Sequence, residues 1–365
     1  MVKMKIIMYF MAAGPDGNIE QKIQNWINKR YRGDLMYGLT HFKENNLGVV
    51  FPRFKQYRSI ERESWIPNLL EILKDKRKYN IVYSPYRSGL EALIYLRGLR
   101  FYRKKIVVWQ HSPVEKPGGF FRTLLYRIFL NGIDKFIFFG ENARTESLQS
   151  QLVSKNKTVA LNWGADLDFF NNVLKEASGQ EYKDIRFIST GVDNRDFETL
   201  VKAFKGLSQK LDLYVVQKEL YEKYKNAGEN IRVHFSEPNG TLESSLISSY
   251  TVGLELAKSS VSIICSKPIT NRKMSSGLTS LIEATALGKP VIITRNKYLP
   301  QYFEENNVGL FVNPVNVEEL RNAIIKISSD RELLRQLGEN SRQFAVKMCN
   351  LELFTKDLAA LLESV

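Results

Sequence analysis

Along the first 165 positions, apolar β-rich runs alternate with segments whose apolar residues recur at spacings of three and four. Residues 5–12, 34–40, 80–84, 105–110, 135–139 and 158–161 read as strands, with helices expected near 18–30, 64–77, 88–102, 118–132 and 142–154. Regular alternation of strand and helix predicts a parallel sheet covered on both faces. At residues 171–183, NNVLKEASGQEYK, the chain turns polar without apolar periodicity. The rhythm then resumes in IRFIST, LDLYVV, IRVHF, VSIIC, PVIIT and GLFV, with helices near 196–208, 219–227, 241–250, 278–287, 297–305, 316–328, 330–347 and 350–364. The fold class is therefore α/β, with two Rossmann-like, doubly wound parallel-sheet domains. They are expected at 1–165 and 184–365, joined by a linker at 166–183, with a last helix that can cross back to the first domain. Ligands of such sheets bind beyond the carboxyl ends of the strands, so a cleft between the two domains is where chemistry is expected.

Composition narrows the class. Cys265 and Cys349 are too few for a disulfide framework and have no neighbouring His cluster, which argues against structural zinc and for a reducing compartment. The opening MVKMKIIMYFMAAGPDG is too short in its apolar run for a signal peptide and reads as a strand entering a turn. With no run of the roughly 18 apolar residues a span requires, a soluble or peripheral cytoplasmic protein is expected. Charge is divided unevenly: residues 1–165 hold 28 Lys and Arg against 13 Asp and Glu, whereas the remainder is nearly neutral. An acidic partner is expected at the first domain.

The densest chemical signal is SSGLTSLIEATALGKPVII, residues 275–293. Ser275, Ser276 and Gly277 precede a helix opening with Leu278 and Thr279. The free N–H groups and positive dipole end of such a helix favour an anion. Glu283, in the second turn, is placed to accept from paired hydroxyls. A diphosphate on the amides with a ribose on the carboxylate describes a nucleotide sugar.

This string resembles glycosyltransferase family 4, whose members have the GT-B fold and carry Glu, seven residues and Glu-Ala here, followed by Gly-Lys/Val-Pro-Val. Glu283 matches the second glutamate, which in that family holds the ribose; the first falls at Ser275, a departure from the family's usual carboxylate. LNWGADLDFF, residues 161–170, resembles the family's Asn-Gly-Val-Asp-x-x-x-Phe at the exit from the first domain. There Gly164 permits a tight turn and Asp166 caps or braces it. Asp166-Leu167-Asp168 also spells the Asp-x-Asp of metal-binding glycosyltransferases, but alternate acidic residues in this context read as structural, and no metal or other cofactor is expected.

In FISTGVDNRDFETLVKAF, residues 187–204, the resemblance implies a loop beneath the donor diphosphate. Gly191 is kept, Val192 replaces the usual Arg, and Arg195 becomes the candidate to grip phosphate and stabilise the leaving group. Lys267, Arg272 and Lys273 are further candidates. Gly14 and Gly17 match only thinly a glycine-rich loop near the reacting bond. His111, just past a strand, matches family members that use a residue there to contact the donor sugar. The basic, aromatic segments 87–105 and 116–136 contain Arg100, Arg103, Lys104, Lys105, Arg122 and Arg127, a surface suited to an anionic membrane or lipid-linked acceptor.

The resemblance implies a retaining, metal-independent transfer from a UDP- or GDP-sugar to a polysaccharide, glycolipid or lipid-linked acceptor, by an enzyme peripheral to the inner face of the cell membrane. Two alternatives compete: a sugar-nucleotide 2-epimerase on the same fold, and a basic membrane- or RNA-binding protein without catalysis.

Overall fold

The computed structural model describes residues 4–11, 18–52, 65–74, 79–191, 194–235, 249–269 and 274–365. The chain forms two compact units. The first comprises 1–27, 33–163 and 351–365; the second comprises 28–32 and 164–350.

In the first unit, β1 (Lys5–Tyr9), β2 (Leu47–Val50), β3 (Ile81–Ser84), β4 (Lys105–Trp109), β5 (Lys135–Phe138) and β6 (Thr158–Ala160) form one sheet. Its order is β2-β1-β3-β4-β5-β6, and every pairing is parallel. Ile81–Ser84 and Ile106–Trp109 are buried throughout, as strands covered on both faces must be. Helices α1 (Ile19–Ile27), α2 (Trp65–Lys74), α3 (Glu91–Gly98), α4 (Phe120–Asn131) and α5 (Glu141–Gln149) connect the strands, and the last helix, α14 (Leu351–Ser364), also belongs to this unit.

The strand expected at 34–40 does not form. That stretch is two short 3-10 turns, Gly33–Met36 and Leu39–His41, and the sheet takes Leu47–Val50 instead. Side chains satisfy its carbonyls: Tyr9 Oη donates to Met36 O at 2.9 Å, Tyr83 Oη to Tyr37 O at 2.9 Å, and Trp163 Nε1 to Asp34 O at 3.1 Å. Tyr37 and Gly38 have φ of 49° and 89°, which an extended strand excludes. The apolar richness of this segment feeds an aromatic cluster, where Tyr37 stacks on Trp163 with centroids 5.6 Å apart.

In the second unit, β7 (Arg186–Ser189), β8 (Lys210–Val215), β9 (Ile231–Phe235), β10 (Val261–Ile264), β11 (Val291–Thr294) and β12 (Gly309–Val312) form a parallel sheet in the order β12-β11-β10-β7-β8-β9. Counted from β7 this is the doubly wound dinucleotide-fold order, which reverses direction between β7 and β10. Its helices are α6 (Leu167–Ala177), α7 (Phe197–Phe204), α8 (Lys218–Tyr224), α9 (Ser249–Lys258), α10 (Leu278–Ala286), α11 (Tyr302–Glu305), α12 (Val317–Ser329) and α13 (Arg331–Met348).

Two expectations need correction, and a third is mostly beyond the described residues. Residues 166–183 are largely α6, whose Asp166 cap accepts from Phe169 N at 3.0 Å and whose Phe169, Phe170, Val173 and Ala177 are buried. The apolar stripe starts before the polar NN pair, so a window opening at 171 misses half of it. The helix expected at 241–250 lies mostly outside the described residues, and α9 follows it. The first domain is also not continuous, because Asn28–Arg32 builds into the second unit.

That segment is anchored by its cations. Arg30 lies over the ring of Tyr250 at 4.2 Å and Arg32 over that of Phe170 at 5.0 Å. Arg32 Nη1 donates to Glu283 Oε1 of α10, with side-chain exposures of 1% and 15%. Removing one partner of a buried pair strands the other charge and typically costs about 3–5 kcal/mol. Arg32→Ala should therefore destabilise the protein by about that amount in urea unfolding. The double variant Arg32→Ala/Glu283→Ala should lose clearly less than the sum of the two single changes, whereas strict additivity would show that the pair is not coupled.

Candidate functional site

Where strand order reverses, the loops after β7 and β10 turn to opposite sides, opening a crevice beyond the strand ends within the second unit. The loop after β7 passes through Thr190 and Gly191, the latter at φ 106°. A Cβ on Gly191 would lie 2.2 Å from Nη2 of Arg195, so only glycine lets this backbone cross the guanidinium.

Arg195 is buried at 8% exposure, with its guanidinium beneath the Gly191 loop. Its Nε donates to Thr190 O at 3.2 Å and its Nη2 to Ser280 Oγ, on the first turn of α10, at 3.0 Å. It thus ties the β7 loop to the α10 N-terminus. Around it, Asp196 N donates to Cys265 O and Lys267 N to Asn194 O, at 2.9 and 3.0 Å, stitching the loops after β7 and β10 together. Asp196 caps α7, accepting from Thr199 N and Oγ1. Burial pushes the Cys265 thiol up to about 12, so it offers no nucleophile.

The α10 N-terminus is set by Gly277 at φ 96°, where a Cβ would stand 2.8 Å from Ile264 Cγ2 and 3.8 Å from Ser266 Oγ. No side chain caps this end. Ser275 Oγ donates to Tyr298 O at 2.8 Å and Asn296 Nδ2 to Met274 O at 3.0 Å, fixing the approach to the helix. Ser275 is therefore spent on the loop's shape. Ser276 and Leu278 are buried, while Thr279 and Lys267 are exposed. At the ends of β7 and β10 the buried hydroxyls of Ser189, Thr190 and Ser266 have no hydrogen-bond partner among the described residues. Unpaired hydroxyls in a parallel-sheet switch crevice are unusual enough to mark a site.

Of the expected donor-site residues, the structure gathers Gly191, Arg195, Lys267, Ser275, Ser276, Gly277, Leu278 and Thr279 around this crevice, with Glu283 one turn further along α10 and held by Arg32. Arg272, Lys273, Gly14 and Gly17 lie outside the described residues. Thr190, Ser266, Ser280 and Arg32 escaped sequence reasoning. Ser266 follows directly on VSIIC and is recognisable once β10 is known to flank β7, but the partnership of Arg32 with a residue 251 positions away leaves no local trace.

In the first unit, His111 stacks on Tyr86, with centroids 5.0 Å apart and planes at 6°, and meets Phe139 edge-on at 5.1 Å. Its Nε2 donates to Pro85 O at 2.9 Å. Burial lowers its pKa, which favours the neutral ring with Nδ1 as its remaining acceptor. Of the basic surface residues, Lys104 lies over the Tyr79 ring at 3.2 Å and Lys105 pairs with Asp134 at 3.4 Å, so both are committed to the protein. Arg100, Arg103, Arg122 and Arg127 are exposed.

Residues 259–344, which span the α10 turn and β10–β12, match the family model "Glycosyl transferases group 1". An uncharacterized glycosyltransferase of Methanocaldococcus jannaschii is 24% identical over 373 residues, covering 95% of each chain. Among solved structures, a sucrose-phosphate synthase from Thermosynechococcus elongatus superposes with a TM-score of 0.69 at 16% identity, covering 99% of both chains. Anabaena HepE, solved in complex with UDP, superposes with a TM-score of 0.65 at 15% identity, covering 99% of this chain and 100% of its own. The β10 and α10 side of the crevice lies within the matched segment and the β7 loop outside it, and the two parallel sheets reproduce the neighbours' fold. The chain is a glycosyltransferase of the GT-B fold, and the segment that matches group 1 lies in its second unit.

Proposed function

We propose that the β7–β10 crevice binds a UDP- or GDP-sugar and that the enzyme transfers the sugar, with retention and without a metal ion, to a polysaccharide, glycolipid or lipid-linked acceptor used in cell-surface glycan synthesis. The observation that carries this reading is the uncapped α10 N-terminus beside the unpartnered hydroxyls of Thr190 and Ser266, with the Glu283 carboxylate further along the same helix. Free amides and the helix dipole suit a diphosphate, and a fixed carboxylate suits a ribose diol. Arg32 gives that carboxylate its orientation. UDP in the similarly folded HepE is consistent with this assignment.

The carboxylates of the crevice bear on the route that a retaining transfer would take. Among the described residues, Asp196 is committed to capping α7 and Glu283 to Arg32, so neither is placed as a protein nucleophile. A front-face displacement, in which the leaving diphosphate takes the acceptor proton, requires none. Arg195 supplies fixed positive charge beneath the Gly191 loop, and exposed Lys267 is positioned to meet the leaving group as its charge grows. We place the enzyme on the inner face of the cell membrane, where a lipid-linked acceptor resides.

Product analysis with a panel of UDP-, GDP- and ADP-sugars tests the reaction: transfer or hydrolysis releases nucleoside diphosphate, while an isomerised sugar nucleotide would mean epimerisation. Glu283→Gln keeps a hydrogen bond to Arg32 but removes the charge, and should weaken donor binding at least about tenfold, the loss of one charge-assisted hydrogen bond. Unchanged affinity in calorimetry would remove Glu283 from the donor site. Arg195→Ala, checked for an intact fold by thermal unfolding, should lower kcat about a hundredfold or more. A change confined to KM would pass the leaving-group role to Lys267.

A further inference from the structure

Helices α3 and α4 meet backbone to backbone. A Cβ on Gly98 would stand 2.0 Å from the carbonyl oxygen of Ile128, and one on Gly132 would stand 1.9 Å from that of Ile94. The pairs Ile94 with Gly132 and Gly98 with Ile128 run in opposite directions, so the two helices are antiparallel. Carried on, this register brings Leu99–Phe101 level with residues 125–127, the second turn of α4, one turn from Phe120 and Phe121. Both segments are bare there. Phe101, Phe120 and Phe121 are 79%, 76% and 78% exposed, and Leu99, Leu124 and Leu125 are exposed beside them. In the first two turns of α4 only Thr123 is buried, with Tyr126 half-buried.

Such a cluster at the tip of a helix pair is costly in water and exceeds scattered surface apolarity. Its surroundings are cationic. Arg100, Arg103, Lys116, Arg122 and Arg127 are all exposed, and α4 carries no acidic residue. A cavity of about 440 Å³ opens between Lys116 and Arg127, with Pro117, Phe120 and Leu124 as apolar walls. No helix among the described residues is long and apolar enough to cross a membrane. A second copy of the same face would set arginine against arginine, and RNA would engage the phenylalanine rings but leave Leu99, Leu124 and Leu125 without an apolar partner.

We propose that the α3–α4 tip is a wedge for an anionic bilayer: Phe101, Phe120, Phe121 and the neighbouring leucines enter the boundary between headgroups and acyl chains, while Lys116 and Arg127 grip a phospholipid phosphate. The proposal rests on the reading of a membrane-borne acceptor and assigns it a surface. Basic attraction is screened by salt, whereas apolar insertion is not, so the wedge predicts a binding component that survives high salt.

The test is cosedimentation of the full chain with phosphatidylcholine vesicles and with phosphatidylglycerol–phosphatidylcholine vesicles, at low and high salt, with donor hydrolysis measured separately. The wild type should bind the anionic vesicles strongly at low salt, keep part of that binding at high salt, and bind the neutral vesicles only to about that salt-resistant extent. Phe120→Ala/Phe121→Ala should lose the salt-resistant part, lowering high-salt binding about tenfold or more, with thermal stability and donor hydrolysis unchanged. Lys116→Glu/Arg127→Glu should lower low-salt binding to the anionic vesicles to about the salt-resistant remainder. If the wild type binds and the phenylalanine variant binds equally at high salt, the wedge is wrong while the membrane reading stands. Indifference of the wild type to anionic vesicles overturns both, as does tight RNA binding or self-association in their place, and none of these outcomes bears on donor chemistry.

Discussion

The second unit is organised by a constraint that parallel sheets cannot avoid: where strand order reverses, the two central loops part, and something must hold them. Here that is Arg195. Its guanidinium is buried under a glycine that nothing larger can replace, joining the end of β7 to the first turn of α10 while its backbone pairs with Ser266 beyond β10. A buried cation of this kind is tolerable because carbonyl and hydroxyl oxygens meet it, and it brings a fixed charge to the floor of the crevice. The same residue therefore maintains the geometry of the site and its electrostatic sign, which is why the two functions cannot be separated by inspection of its neighbours alone.

An ion pair extends this organisation along the sequence. Arg32 comes from a five-residue segment of the N-terminal half that builds into the second unit and holds Glu283 on α10. The residue assigned to the ribose is thus oriented by a distant part of the chain. Substitutions near Arg32 should act on the donor end of the enzyme although they lie, by sequence, in the half expected to face the acceptor.

Much of this architecture was legible in the sequence, because buried parallel strands write themselves as short apolar runs. VSIIC, PVIIT and KIVVW are strands for that reason. The failures have physical causes. Residues 34–40 are as apolar and aromatic as a strand, yet tyrosine hydroxyls and a tryptophan amine satisfy their carbonyls in place of a neighbouring strand. Helix α6 was hidden by two asparagines on its polar face. At the site, the glycine and serine turn before α10 was visible because helix N-termini have local signatures. The inward turn of Arg195 and the pairing of Glu283 with Arg32 were not, since both are decided by tertiary contacts. The basic, aromatic segment 116–136 was legible as a surface, but which of its aromatics stand in solvent is decided by tertiary packing, which buries Phe129 and leaves Phe120 and Phe121 exposed.

The central claim is that the crevice between β7 and β10 is where the nucleoside diphosphate part of the donor sits. Hydrogen–deuterium exchange of the full chain with and without saturating UDP, and separately GDP, addresses it directly, because bound phosphate and ribose should slow exchange of the amides they engage and of the loops they tie down. The account predicts slowed exchange over residues 189–196, 265–268 and 274–283 with at least one of the two nucleotides. Unchanged exchange in all three segments, or protection confined to the first unit, would contradict it.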